Sequence, residues 1–118
     1  ETSKHLPKVR EVFFSEIKKN KIKAWKKNLT SDQFLFVYKG KIKIILYDDR
    51  KLKKGKKYNY YLGEGTKFSR IYLPKNIWYG FKGLNQKNIV INSLRIQHNK
   101  CKFISSDVNN KNISTVWK

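Results

Sequence analysis

Few side chains in this sequence combine the chemistry and the spacing that catalysis or metal binding requires. The two histidines, His5 and His98, lie far apart, whereas a histidine-based metal site needs closely spaced ligands. His98 fits a surface or turn position better than a general base. Cys101 is the single cysteine and is interpreted as a plain thiol, because no Cys-x-x-Cys pair surrounds it. The sequence therefore predicts no metal and no cofactor.

Lysine is the second source of chemistry. Lys and Arg total 28 against 8 Asp and Glu, which gives a formal net charge of +20. A charge of this size favours polyanionic partners such as nucleic acid, acidic lipid or a small phosphorylated ligand. Compositional bias is the alternative, because the lysines are spread along the chain and Lys, Asn and Ile are over-used together. In that case the surface should bind DNA weakly and with a steep salt dependence.

The length and composition limit the class of protein. A chain of 118 residues has room for one domain with a modest core, and its 39% hydrophobic content argues against a disordered chain. No apolar run approaches the roughly 20 residues that cross a bilayer, and the given sequence does not open with a signal-peptide pattern. Because a lone cysteine cannot form an internal disulfide, we expect a cytoplasmic protein.

Residues 32–49 (DQFLFVYKGKIKIILYDD) carry the clearest strand pattern in the chain. Aromatic and β-branched side chains alternate on both sides of Lys39 and Gly40, as half-buried strands require. Gly40 can adopt the positive φ of a tight reversal. The pattern predicts a β-hairpin, with strands on either side of Gly40.

The rest of the chain is also divided into short strands. We predict further strands at residues 9–17, 22–26, 58–62, 68–73, 77–81 and 89–96. The turn at residues 18–21 should place Asn20 in the left-handed region. In residues 22–26, alternation puts Lys23 and Trp25 on one face and Lys26 on the other. Short strands separated by turn signals predict an all-β sandwich or barrel, with its core in residues 9–98 and a polar C-terminal tail in residues 99–118.

Four segments carry a family resemblance. IKAWKK at residues 22–27, KGKIKIILYDDR at 39–50, LPKNIWYGF at 73–81 and NIVINSLRIQH at 88–98 occur in this order. Together they resemble the dTDP-4-dehydrorhamnose 3,5-epimerase family, the sugar-nucleotide branch of the cupin jelly rolls. The corresponding family segments are an Ile-Arg-Gly-Leu-His strand, a Gly-x-Val…Asp-Leu-Arg hairpin, an Ile-Pro-x-Gly-Phe-x-His-Gly-Phe segment and a late core strand.

The resemblance implies a single cupin-type domain over residues 1–118, a double-stranded β-helix folded as a jelly-roll sandwich. Since the family begins with further N-terminal strands, it also implies that this chain lacks the family's first strands. A dTDP-linked 4-keto-6-deoxy sugar of surface polysaccharide biosynthesis is the implied ligand. A homodimer is implied as well, because the family pairs its sheets and an uncovered strand edge needs a partner.

The catalytic positions of the resembled family are substituted here. The family uses a His to remove protons beside the keto group of the sugar and a Tyr on the opposite side to return them, as inversion requires. Lys26 stands at the position of the base, and Asn92 at that of the acid. An amide cannot transfer a proton, and a lysine with an ordinary pKa needs strong desolvation to act as a base at neutral pH.

The binding positions are better preserved than the catalytic ones. We predict Lys23, Gln33, Trp78 and Tyr79 as ligand-binding residues. Lys23 replaces the phosphate-side Arg and could meet a diphosphate as a point charge, although without the bidentate fork of Arg. Tyr79 replaces a family His, and it could stack on a base or a ring together with Trp78. Core packing is the alternative for both aromatic residues.

Three functions remain open at this stage. The first is an isomerase of the epimerase type that acts on the dTDP-linked keto sugar. The second is a non-catalytic, cupin-type protein that binds the sugar nucleotide, as the substitutions at Lys26 and Asn92 suggest. The third is a basic β-barrel that binds nucleic acid through lysines and interleaved aromatic residues; it ranks behind the other two, so nucleic acid is not the expected partner.

Overall fold

The computed structural model of the protein describes residues 11–50, 55–95, 100–107 and 117. Nine strands occupy these ranges: β1 (Glu11–Lys18), β2 (Ile22–Asn28), β3 (Gln33–Lys39), β4 (Lys41–Asp48), β5 (Lys56–Gly63), β6 (Arg70–Leu73), β7 (Trp78–Gly83), β8 (Lys87–Leu94) and β9 (Phe103–Ser105). Within these ranges, no helix has the length and apolar character that a membrane span requires.

The strands form two antiparallel sheets that pack face to face. One sheet has the order β1-β8-β3-β6 and the other the order β5-β4-β7-β2-β9. Apolar side chains from both inner faces interdigitate between them, among them Leu35 and Val90 from the first sheet and Ile44 and Leu62 from the second. The predicted all-β jelly-roll sandwich is confirmed.

The predicted hairpin around Gly40 is wrong. β3 and β4 belong to different sheets, so the chain crosses from one layer of the sandwich to the other at this point. Gly40 does have a positive φ of 86°, and a Cβ there would lie 2.4 Å from the backbone oxygen of Lys87. Alternation identifies the buried face of each strand but not the strand that pairs with it, and both strands contribute to the same core.

The hairpin partner of β4 is β5. The two strands pair from Lys41 opposite Gly63 to Asp48 opposite Lys56. Asp48, which is buried, accepts hydrogen bonds from Arg50 Nε at 2.9 Å and from Arg50 Nη2 at 2.8 Å. This ion pair lies at the start of the charged segment, which connects the two strands.

Asn88 joins several segments at one end of the sandwich. Its Oδ1 accepts hydrogen bonds from the backbone N–H groups of Lys41 at 2.8 Å and Asn85 at 3.2 Å. Its Nδ2 donates to the backbone oxygens of Ile17 and Asn85, both at 2.8 Å. The side chain is completely buried, so it satisfies polar backbone groups that water cannot reach.

A β-bulge in β2 changes which side chains face the core. Lys23 pairs with Phe81 and Lys26 pairs with Tyr79, and the register shifts between the two lysines. In a regular strand, residues three apart point to opposite faces, but the irregularity brings Lys23 and Lys26 to the same cavity. The predicted separation of the two lysines on opposite faces is therefore wrong.

A strand from the C-terminal region was not predicted. β9 pairs with β2 from Lys26 opposite Ser105 to Asn28 opposite Phe103. Backbone bonds between Trp25 and Ser106 extend this contact. β9 thereby covers the outer edge of β2 and brings further side chains beside the lysines of that strand.

Candidate functional site

A cavity of about 500 Å³ lies between the two sheets. Its walls come from β1 and β8 on one side and from β2, β7 and β9 on the other; β3 contributes Leu35. The volume falls in the range of pockets that hold small molecules or cofactors. The cavity is therefore the candidate binding site.

The charged groups on the cavity wall are cationic. Lys23 and Lys26 both line it, and no carboxylate is present among the described lining residues. The Lys26 ammonium lies 5.6 Å from the ring centroid of Phe103, a cation–π contact that holds it beside β9. Two cations with no nearby lining acid favour an anionic ligand.

The neutral polar groups form a second part of the wall. Tyr79 and Asn92 line the cavity, and the buried Gln33 lies behind them. Asn92 Nδ2 donates to Gln33 Oε1 at 3.1 Å, and the side chain of Gln33 also hydrogen-bonds to Tyr79. Burial raises the pKa of the Tyr79 hydroxyl, and the hydrogen bond with Gln33 opposes this rise in part. Tyr79 is thus a neutral phenol at physiological pH.

Trp78 does not line the cavity. Alternation along β7 directs Tyr79 and Phe81 into the sandwich, and Trp78 packs instead in an outer cluster with Trp25 and Ile45. Its Nε1 donates to Asp49 Oδ2 at 3.1 Å, and the Lys27 ammonium lies 4.8 Å from its ring centroid. These contacts account for Trp78 as a packed residue of the outer face.

Several lining residues were missed by sequence reasoning. Phe13 and Ser15 reach the cavity from β1, and Phe103 and Ser105 reach it from β9. The alternation in residues 9–17 was a usable signal for the first pair. β9 has only three residues, which is too short for a periodic pattern, so the second pair had no comparable signal.

The remaining reactive residues of the sequence are the two histidines and Cys101. His5 and His98 lie outside the described residues. Cys101 is half-buried and is not among the cavity-lining residues. In the described part of the chain, no group of three or more His, Cys, Asp or Glu side chains could hold a metal ion.

Comparisons by sequence and by structure give different results. No protein-family profile matches the sequence, and no curated protein matches it either. By structure, a dTDP sugar isomerase from Desulfovibrio desulfuricans is similar with a TM-score of 0.89 and 26% identity, covering 98% of this chain and 75% of that one. The fold is that of the dTDP-sugar epimerases.

Two epimerase structures support this assignment of the fold. The dTDP-4-dehydrorhamnose 3,5-epimerase from Elizabethkingia anophelis has a TM-score of 0.79 at 17% identity, covering 93% of this chain and 62% of that one. The enzyme from Legionella pneumophila, in complex with dTDP-4-keto-L-rhamnose, has a TM-score of 0.75 at 14% identity, covering 94% and 61%. The chain therefore spans about three fifths of the length of these two epimerases.

Proposed function

We propose that this protein binds a dTDP-linked 4-keto-6-deoxy sugar of surface polysaccharide biosynthesis in the cavity between its sheets. The observation that carries the proposal is the cavity itself, in an epimerase fold, with Lys23 and Lys26 on its wall and no carboxylate among the described lining residues. The two ammonium groups suit the diphosphate of the ligand. The Legionella structure contains a dTDP-linked keto sugar, which supports this ligand class.

Titration calorimetry with dTDP at physiological salt tests the binding. Saturable one-site binding is the expected result, with a short single-stranded oligonucleotide as the parallel sample. The oligonucleotide should bind weakly and lose its affinity as salt rises, because a diffuse cationic surface binds through counterion release. Tight oligonucleotide binding without dTDP binding would assign the cationic surface to nucleic acid and overturn the proposal.

Epimerisation is the second candidate function. Lys26 lines the cavity beside Tyr79, so an amine that could remove a proton lies next to a phenol that could donate to the keto oxygen. Both lie on one wall, so a proton returned to the opposite face of the sugar ring would have to come from another group, such as water. Incubation with the keto sugar nucleotide in deuterated water separates the two functions. Deuterium uptake beside the keto group would establish proton transfer, and binding without uptake would establish a non-catalytic binder.

We further propose that the protein is a homodimer that pairs through the outer face of the four-stranded sheet. Exposed apolar side chains cross this face on three strands: Val12, Phe14, Phe36, Tyr38 and Tyr72. Phe14 and Tyr38 are 69% and 66% exposed, and an apolar patch of this kind marks an interaction surface. Light scattering should give the mass of two chains, and Phe14→Lys should give the mass of one.

A further inference from the structure

Gln33 connects the two neutral polar residues of the cavity wall, Tyr79 and Asn92. Gln33 Oε1 accepts from Asn92 Nδ2 at 3.1 Å. The Gln33 side chain also hydrogen-bonds to the Tyr79 hydroxyl. A phenol hydroxyl can take part in two hydrogen bonds, one as donor and one as acceptor. Gln33 is 2% exposed, so its orientation is held by packing as well.

Tyr79 and Asn92 can each offer a polar group to another molecule in the cavity. The Tyr79 residue lines the cavity, and its hydroxyl can act as a donor there. At the other end, Asn92 Oδ1 is buried and has no hydrogen-bond partner within the described part of the chain. A buried acceptor without a partner costs free energy. Because Tyr79 and Asn92 both line the cavity, a ligand there can satisfy both groups.

We propose that Tyr79 and Asn92 form the sugar-recognition pair of the cavity, with Tyr79 donating to the keto oxygen of the ligand and Asn92 Oδ1 accepting from a sugar hydroxyl. Gln33 is the positioning residue that orients both. The inference rests on the proposed function and assigns its parts: the lysines take the charged diphosphate, and this neutral pair takes the sugar. Because dTDP lacks the sugar that this pair contacts, binding of bare dTDP should not depend on the two residues.

The choice of a neutral donor has a chemical consequence. Tyr79 is 6% exposed and burial keeps its hydroxyl protonated. A buried hydroxyl aimed at a carbonyl oxygen stabilises negative charge that develops there, as in an oxyanion hole. The pair therefore suits a keto sugar whether the protein only binds it or also removes a neighbouring proton.

The test compares two ligands on each variant. Affinities for dTDP and for a dTDP-linked 4-keto-6-deoxy sugar are measured by calorimetry for the unaltered protein, Tyr79→Phe, Asn92→Leu and Gln33→Met. Tyr79→Phe should weaken binding of the sugar nucleotide about tenfold, the effect of one lost hydrogen bond, and leave dTDP binding unchanged. Gln33→Met, like Tyr79→Phe, should weaken binding of the sugar nucleotide more than binding of dTDP. Loss of stability alone would not produce this difference between the two ligands.

Tyr58→Phe is the matched control, because Tyr58 packs against the core and is not among the cavity-lining residues. Both affinities should be unchanged in that variant. If Tyr79→Phe does not fold, Asn92→Leu provides the same comparison of ligands. An unaltered affinity ratio in the folded variants would overturn the recognition pair and leave the proposed function standing. Failure of the unaltered protein to bind either ligand would overturn both.

Discussion

Lys26 lies directly opposite Tyr79 across the β2–β7 ladder, and both residues line the cavity. Directly opposed residues in an antiparallel pair have Cβ atoms about 5 Å apart. A cation and a neutral buried phenol are therefore neighbours on one wall. A charged side chain and a neutral hydrogen-bonding side chain therefore lie next to each other, and a substitution can remove either one without the other.

Removing either cavity lysine should weaken dTDP binding. Lys23→Met and Lys26→Met keep most of the aliphatic side chain and remove the charge, so each should lower the affinity about tenfold, the effect of one lost charge-assisted contact. The dependence of the affinity on salt should also become less steep. Calorimetry at two salt concentrations measures both effects.

Lys57→Met is the control for total charge. Lys57 is exposed on β5, and two strands separate β5 from β2 in the sheet. This variant should retain the original affinity for dTDP. Equal weakening by all three substitutions would show that dTDP responds to the net charge of the surface and not to the cavity.

Replacing Trp117 by alanine should destabilise the fold. Trp117 packs on Trp25 with ring centroids 5.4 Å apart, and Lys82 Nζ donates to its backbone oxygen at 2.6 Å. The Trp117 ring fits here because Gly80 has no side chain: a Cβ at this position would lie only 3.1 Å from Trp117 Cζ2. We expect a loss of about 2–3 kcal/mol in the free energy of unfolding, measured by denaturant titration. Phe68→Ala, at a residue 52% exposed, should change it by less than about 0.5 kcal/mol.

Asn88→Asp should strongly destabilise the fold, although the two side chains have nearly the same shape. The substitution replaces the donor Nδ2 by an oxygen that faces the backbone oxygens of Ile17 and Asn85. An acceptor in place of a donor, in a completely buried side chain, should cost about 3 kcal/mol or more. Thermal and denaturant unfolding measure the loss. Asn59→Asp on the exposed face of β5 makes the same chemical change and should have little effect.

The hydrogen bonds of Asp32 predict a component of acid unfolding. A hydrogen bond from the Tyr72 hydroxyl is the main reason that the pKa of Asp32 lies below its ordinary value. The backbone N–H of Lys75 donates a second hydrogen bond to Asp32 Oδ1 at 2.9 Å and lowers the pKa further. A lowered pKa stabilises the fold above the ordinary value of 3.8, and this contribution is lost as the pH falls through the folded-state pKa.

Asp32→Asn should therefore show a shallower loss of stability below about pH 4 than the unaltered protein. Tyr72→Phe removes the main hydrogen-bond donor and should flatten the same part of the curve. Denaturant titrations at a series of acidic pH values measure it. Parallel curves for all three proteins would mean that Asp32 does not contribute to the acid sensitivity.

The local features of the fold were accessible from the sequence because they depend on neighbouring residues. Apolar alternation located β1 to β8, and Asn20 has the predicted left-handed conformation with a φ of 65°. Lys23, Lys26, Tyr79 and Asn92 were selected through the family resemblance, and they do line one cavity. The order of the motifs was enough to select these residues, because residues at equivalent positions of a jelly-roll fold line the same interior cavity.

Only the tertiary structure determined how these pieces meet. The pairing of β4 with β5 and not with β3, and the placement of β9 beside β2, depend on contacts between residues distant in the chain. The bulge that brings Lys23 and Lys26 to one face likewise has no signal in alternation. A period of two residues specifies which side of a strand is buried, but the ladder partner is set by competition among all strands for the same core.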